Sequence, residues 1–169
     1  MKVGFIGLGN VGGKLAGSLL RNNFDLTVRD LDKNLTKSFE DLGAKVANSA
    51  KELAEKVDLI ITCLPSTNIC AEVMEADDGV INGLSENKIW LEMSTTDESE
   101  IKRISKKMKE LFNLVPRWGK GNSGQTRAWI KITSMVIKST PINSLNIKSS
   151  FLDSETDKVL FLKVCRYGN

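Results

Sequence analysis

The sequence predicts an α/β fold, a doubly wound parallel sheet with helices on both faces. Three observations predict it. Short apolar runs alternate with helical patterns from residue 2 to about 115. A glycine-rich turn joins the first run to the first helix. The run Leu59-Ile60-Ile61 is apolar at consecutive positions, as in a parallel strand buried on both faces.

The elements follow in order. Val3-Gly4-Phe5-Ile6 is a strand, and Gly7-Leu8-Gly9-Asn10-Val11-Gly12 is a G-x-G-x-x-G. Leu15, Leu19 and Leu20 then mark one face of a helix, and Leu26-Thr27-Val28 is a second strand that ends at Asp30. Strand, glycine turn, helix, strand and acid make the layout of a dinucleotide-binding βαβ unit, the Rossmann arrangement. Gly7 suits the tight turn, Gly9 lets a pyrophosphate reach the backbone, and Gly12 lets the helix close on the sheet. The helix N-terminus offers N–H groups and partial positive charge to phosphates. Asp30 lies 18 residues after Gly12, where a carboxylate can accept from a ribose 2′-OH. Leu31 stands where an Arg would favour a 2′-phosphate, so NAD is expected over NADP. The competing reading is a tight turn with no ligand.

Leu35, Phe39 and Leu42 mark a second helix that stops at Gly43, and Ala44-Lys45-Val46 is a short strand. Ser49 and Glu52 form a capping box for the third helix. The strand 57–63 ends at Leu64-Pro65-Ser66, for which a simple strand terminator is the competing reading. A helix over about 67–75 and a strand over 88–93 follow. Thr95 and Glu98 suit a second capping box, opening a helix with Ile101, Ile104, Met108 and Leu111 on one face. Phe112 to Val115 is expected to be the next strand. Beyond it the pattern fades into an irregular, β-prone tail. Trp129 to Lys138 reads as one strand or two, and Val159 to Leu162 as a further apolar run. The chain therefore divides into a Rossmann domain over 1–115 and a divergent tail over 116–169.

Charge marks the same boundary. Residues 1–110 carry 15 basic and 18 acidic side chains, whereas residues 111–152 carry six basic and no acidic ones. That basic stretch reads as a solvated tail, and no nucleic-acid partner is expected. Trp118 and Trp129 are stacking candidates within it. Cys63, Cys70 and Cys165 show no metal or disulfide pattern, and no metal is expected. The chain has no His, which excludes His-based acid–base catalysis, triads and metal ligation. Met1 and Lys2 lead directly into the first strand and no long apolar span occurs, so a cytoplasmic protein outside membranes is expected.

Three motifs in order resemble the β-hydroxyacid dehydrogenase family, most closely its 3-hydroxyisobutyrate dehydrogenase branch. They are Gly4 to Gly12, Leu64-Pro65-Ser66 after the fourth strand, and Met93-Ser94-Thr95-Thr96-Asp97 after the fifth. The resemblance covers Met1 to about Leu114. It implies that Gly7, Leu8, Gly9, Asn10, Val11 and Gly12 hold the pyrophosphate and Asp30 the adenosine ribose. It implies that Leu64, Pro65 and Asn68 lie along the cofactor, that Thr95 sits near the nicotinamide ribose, and that Ser94 stands at the substrate edge. For Ser94 to Thr96 simple helix capping is an equal reading.

The chain departs from the family after residue 115. Where the family grips the substrate carboxylate with a motif like D-A-P-V-S-G-G, this chain reads Val115-Pro116-Arg117-Trp118-Gly119-Lys120-Gly121-Asn122. No segment matches the family's helix with its catalytic Lys, so no catalytic residue is assigned. The family's helical dimerisation domain has no counterpart either. The change in composition suggests a frameshifted or truncated product. The expected function is the cofactor half of an NAD-dependent oxidoreductase whose substrate is a short β-hydroxyacid. The alternatives are an inactive NAD-binding module and a non-functional product.

Overall fold

The computed structural model describes residues 1–85, 88–94 and 97–112, together with the strand segments 145–148, 159–161 and 163–166; side chains are described through residue 108. Strand β1 (Lys2–Ile6) leads through the glycine turn into helix α1 (Gly12–Arg21) and strand β2 (Asp25–Arg29). Then come α2 (Lys33–Asp41), β3 (Lys45–Val46), α3 (Ala50–Lys56), β4 (Leu59–Thr62) and α4 (Thr67–Glu75). A 3-10 turn (Val80–Gly83), β5 (Ile89–Glu92) and α5 (Glu98–Phe112) follow. The strand order is β3-β2-β1-β4-β5, with every pair parallel. The doubly wound α/β sheet expected from the sequence is the fold.

Side-chain alternation builds a layer on each face. Val3, Phe5, Leu59, Ile61 and Leu91 face one way and pack with Leu15, Leu19 and Phe39 of α1 and α2. Ile6, Ile60 and Trp90 face the other way and pack with Leu53, Met74, Ile101 and Ile104 of α3, α4 and α5. Gly4 sits on that second face. A Cβ there would lie 2.3 Å from Leu53 Cδ2, so the missing side chain lets α3 close on β1.

Each helix boundary has a local cause. Asp32 caps α2 by accepting from Asn34 N–H, and Gly43 ends it in the left-handed region at φ 97°. Ser49 accepts from Glu52 N–H at 3.0 Å as expected, but the Glu52 carboxylate reaches back to Asn48 N–H at 2.7 Å and not to Ser49. Ser66 accepts from Ile69 N–H at 3.3 Å and so caps α4.

One expectation is corrected at the far edge. Helix α5 begins at Glu98, and Asp97 accepts from Ser99 N–H at 2.7 Å. The expected Thr95–Glu98 box rests on Thr95, which lies outside the described residues. Phe112 is the last residue of α5 and not the start of a strand, because the amphipathic pattern of 101–111 carries one more residue. The place beside β5 is taken by Val159–Phe161, here β7, paired in parallel with Trp90 to Glu92. An unpaired β5 edge leaves backbone N–H and C=O groups open, and this short apolar run fills them. Leu145–Lys148 (β6) pairs antiparallel with Lys163–Arg166 (β8). The expected strands in 129–138 lie outside the described residues.

An ion network ties α4 to α5. Glu75 accepts from Arg103 Nη1 at 3.1 Å and from Lys107 Nζ at 2.7 Å, and Arg103 Nε also donates to Glu100 at 2.9 Å. Arg103 first and Lys107 second hold the Glu75 carboxyl down to about 2 from an ordinary 4.5, against the opposing effect of burial. The stability this contributes is present above the ordinary carboxylate value and is lost as pH falls from 4.5 towards about 2. Arg103 is half exposed, so solvent screening leaves a contribution of about 1 kcal/mol. Glu75→Gln is expected to be less stable than the parent by about that amount at neutral pH. Urea titrations stepped down through this pH window should show the gap closing. A gap that stays constant with pH would remove the charge pairing as its cause.

Candidate functional site

The C-terminal ends of β1, β2, β4 and β5 lie along one edge of the sheet, where open α/β sheets take their ligands. The order β3-β2-β1-β4-β5 reverses between β1 and β4, so the crevice opens over the glycine turn.

The glycines of that turn divide into two kinds. Gly7 is in the left-handed region at φ 96°, and a Cβ on it would lie 2.3 Å from the Cys63 carbonyl oxygen. A Cβ on Gly12 would lie 1.9 Å from the Gly7 carbonyl oxygen. These two are demanded by the protein itself. Gly9 is different: a Cβ there would meet nothing within 4 Å. The protein does not use the space over Gly9, so a bound phosphate can. Gly9, Asn10 and Val11 are exposed, and no side chain caps α1, whereas Asp32, Ser49 and Ser66 cap the next three helices. The first N–H groups of α1 therefore face the crevice without a side-chain acceptor.

Leu8 is turned the other way. Its side chain is buried in the core, and its N–H donates to Asp30 Oδ2 at 2.6 Å. Asp30 Oδ1 accepts from Asp32 N–H at 2.9 Å. The acid expected to meet a ribose thus also ties the glycine turn to the end of β2, a role the sequence reading missed. Each carboxylate oxygen retains capacity for a further hydrogen bond. Leu31 beside it is 86% exposed. Arg29 Nη1 donates to the Asp30 carbonyl oxygen.

On the other side of the crevice stand the β4 and β5 loops. Leu64 is half-buried, while Pro65 and Asn68 are exposed. Ser94 is buried, and its Oγ accepts from Leu64 N–H at 2.7 Å. The serine thus holds the β4 loop, which is not capping of α5. Thr95 lies outside the described residues. Beneath Ser94 is Glu92, 1% exposed, which the sequence reading did not single out. Its Oε1 accepts from Ser94 N–H at 2.6 Å. Its Oε2 accepts from Thr62 Oγ1 at 2.7 Å and from Cys70 Sγ at 3.0 Å. Trp90 Nε1 donates to Thr62 Oγ1 at 2.8 Å. Burial pushes the Cys63 thiol up to about 11, and the Glu92 charge adds to the shift. Burial and then Glu92 raise Cys70 further still. Both thiols therefore stay protonated at neutral pH, which suits Cys70 as a donor and neither as a nucleophile.

No described helix is long and apolar enough to cross a membrane. Among the described residues no group of three or more His, Cys, Asp or Glu is placed to hold a metal.

Comparison with known proteins falls on the same residues. The family model for the NAD-binding domain of 6-phosphogluconate dehydrogenase matches residues 2–114. Mitochondrial 3-hydroxyisobutyrate dehydrogenase of Mus musculus is 36% identical over 109 residues, which are 64% of this chain and 32% of that protein. The crystal structure of 3-hydroxyisobutyrate dehydrogenase from Salmonella typhimurium superposes with a TM-score of 0.60 at 26% identity, covering 66% of this chain and 39% of that one. An imine reductase from Myxococcus stipitatus in complex with NADP+ superposes at 0.60 with 17% identity, over 65% of this chain and 37% of that one, which shows the shared fold. The chain thus spans about a third of the length of the relatives it matches. The resemblance read from Gly4 to Gly12, Leu64 to Ser66 and Met93 to Asp97 is borne out, and so is its end near Leu114. Through residues 2–114 the chain belongs to the NAD-binding domain family of 6-phosphogluconate dehydrogenase.

Proposed function

We propose that this chain binds NAD as the cofactor half of an oxidoreductase that acts on a short β-hydroxyacid. The observation that carries the reading is the open space over Gly9 in a turn whose other glycines the protein itself requires. In this reading the pyrophosphate lies over Gly9 to Gly12 and takes hydrogen bonds from the uncapped start of α1. The adenosine ribose meets Asp30. The nicotinamide half runs past Leu64, Pro65 and Asn68 towards Thr95, and the hydroxyacid stands at Ser94. The dinucleotide, when bound, supplies a hydride acceptor; the protein supplies position and electrostatics.

Proteins that share this fold occur with either dinucleotide: the Myxococcus stipitatus imine reductase is in complex with NADP+, and its V8 variant is in complex with NAD+. For this chain the Asp30 carboxylate favours a ribose diol and repels a 2′-phosphate, and exposed Leu31 brings no compensating charge. Calorimetric titration is expected to give tighter binding of NAD than of NADP by about tenfold, the size of one charge-assisted contact. Equal or tighter binding of NADP would remove Asp30 as the discriminating group. A second reading, an NAD-binding module without turnover of its own, is favoured by one observation: the family match stops at residue 114, before any substrate motif.

A further inference from the structure

We propose that Glu92 is a positioning residue that sets the β4 and β5 loops for the nicotinamide half of the dinucleotide. The inference rests on the cofactor reading above and adds to it a group that touches no ligand.

A buried carboxylate is costly unless donors surround it. Glu92 lies within an apolar layer that includes Trp90, Ile60 and Met74, where a hydrophobic side chain would pack at less cost. Its three donors come from three elements. Thr62 is the last residue of β4, Cys70 is on α4, and Ser94 is in the loop after β5. The connection does not end at the carboxylate. Ser94, fixed through its N–H, offers its Oγ to Leu64 N–H, and Leu64 opens the exposed β4 loop. That loop abuts the glycine turn, since a Cβ on Gly7 would lie 3.2 Å from Leu64 Cδ2. One relay of hydrogen bonds therefore runs from Glu92 through Ser94 to Leu64. It serves the β4–β5 side of the crevice. The β2 side is held separately, by Asp30 through Leu8 N–H and Asp32 N–H.

This division makes the role testable. ADP reaches only the glycine turn and the Asp30 side, whereas NAD also needs the β4 and β5 loops. Glu92→Gln keeps the size of the side chain but replaces one acceptor oxygen by a donor, so either Ser94 N–H or the pair Thr62 Oγ1 and Cys70 Sγ loses its acceptor. In the full 169-residue chain, this variant is expected to weaken NAD by about tenfold and to leave ADP within about twofold, as loss of one buried hydrogen bond would. Without any ligand, exchange of the Leu64 amide hydrogen should accelerate in Glu92→Gln as it does in Ser94→Ala. Ser94→Ala should show the same split between NAD and ADP, and it carries the test if Glu92→Gln does not fold. An unchanged Leu64 exchange rate would overturn the relay. Equal losses of NAD and ADP would show a purely structural carboxylate and overturn the proposal too. If the parent chain binds neither nucleotide, the cofactor reading has failed, and Leu64 exchange still decides the relay.

Discussion

Replacing Gly9 by Val is expected to abolish NAD binding while the protein stays folded. The backbone at Gly9 is not in the left-handed region, so a branched residue can adopt it. Its Cβ would meet no protein atom within 4 Å. An exposed substitution of this kind changes stability by about 0.5 kcal/mol or less. The cost falls on the ligand. A branched side chain over the turn displaces the pyrophosphate from the N–H groups at the start of α1. Each charge-assisted bond lost there costs about 1.5–3 kcal/mol, so two of them weaken binding by about 100-fold or more. Gly12→Ala is the contrasting variant. Its Cβ would stand 1.9 Å from the Gly7 carbonyl oxygen, so it should unfold the turn itself and lower the melting temperature. Calorimetry and thermal melts on both variants check the pair. Normal NAD binding by Gly9→Val would make the loop a turn and nothing more.

The second large effect concerns turnover. The 169-residue chain is expected to oxidise 3-hydroxyisobutyrate with NAD at no more than about 0.1% of the rate of a complete family enzyme. The match to the family ends at residue 114, and Val115 to Asn122 do not carry the family's carboxylate-binding motif. Removal of a general acid–base group alone costs about 100- to 10,000-fold, and the loss of substrate positioning adds to it. Following NADH formation by absorbance with the purified chain tests this directly. Robust turnover would mean that a lysine such as Lys120, Lys131 or Lys138 serves as the proton relay. Turnover that appears only after fusion to the family's helical half would locate the missing groups outside the 169 residues.

What was legible in the sequence is what depends on near neighbours. The run Leu59-Ile60-Ile61 announces a strand buried on both faces, and it is. Gly43 announces the end of α2 and does end it. The glycine turn and Asp30 fall where the spacing puts them, at the C-terminal ends of β1 and β2. What was not legible depends on distant partners. Glu92 closes an apolar strand, where an acid reads as the start of the surface. Its burial follows from Thr62, 30 residues earlier, and Cys70, 22 residues earlier, neither of which advertises a carboxylate partner. Ser94 reads as a helix cap or a substrate contact because the Leu64 N–H it holds is equally remote. Phe112 reads as strand because aromatic and β-branched residues cluster there, yet the helical face of Ile101, Ile104 and Met108 already commits it. The strand beside β5 comes from Val159 to Phe161, which no local pattern could assign to that edge.

The double engagement of Asp30 bears on how such a protein can change. The carboxylate that would choose between the two dinucleotides is also the acceptor that pins the glycine turn, through Leu8 N–H, to the end of β2. On the proposed reading, preference and architecture would share one side chain. Converting this domain to NADP by removing the Asp30 carboxyl group and adding a cation at Leu31 would free two backbone amides at the moment it admitted the phosphate. A lineage or an engineer switching cofactor here must first supply a replacement acceptor for Leu8 N–H. Asn is the smallest step, since its single oxygen can keep that bond while giving up the charge.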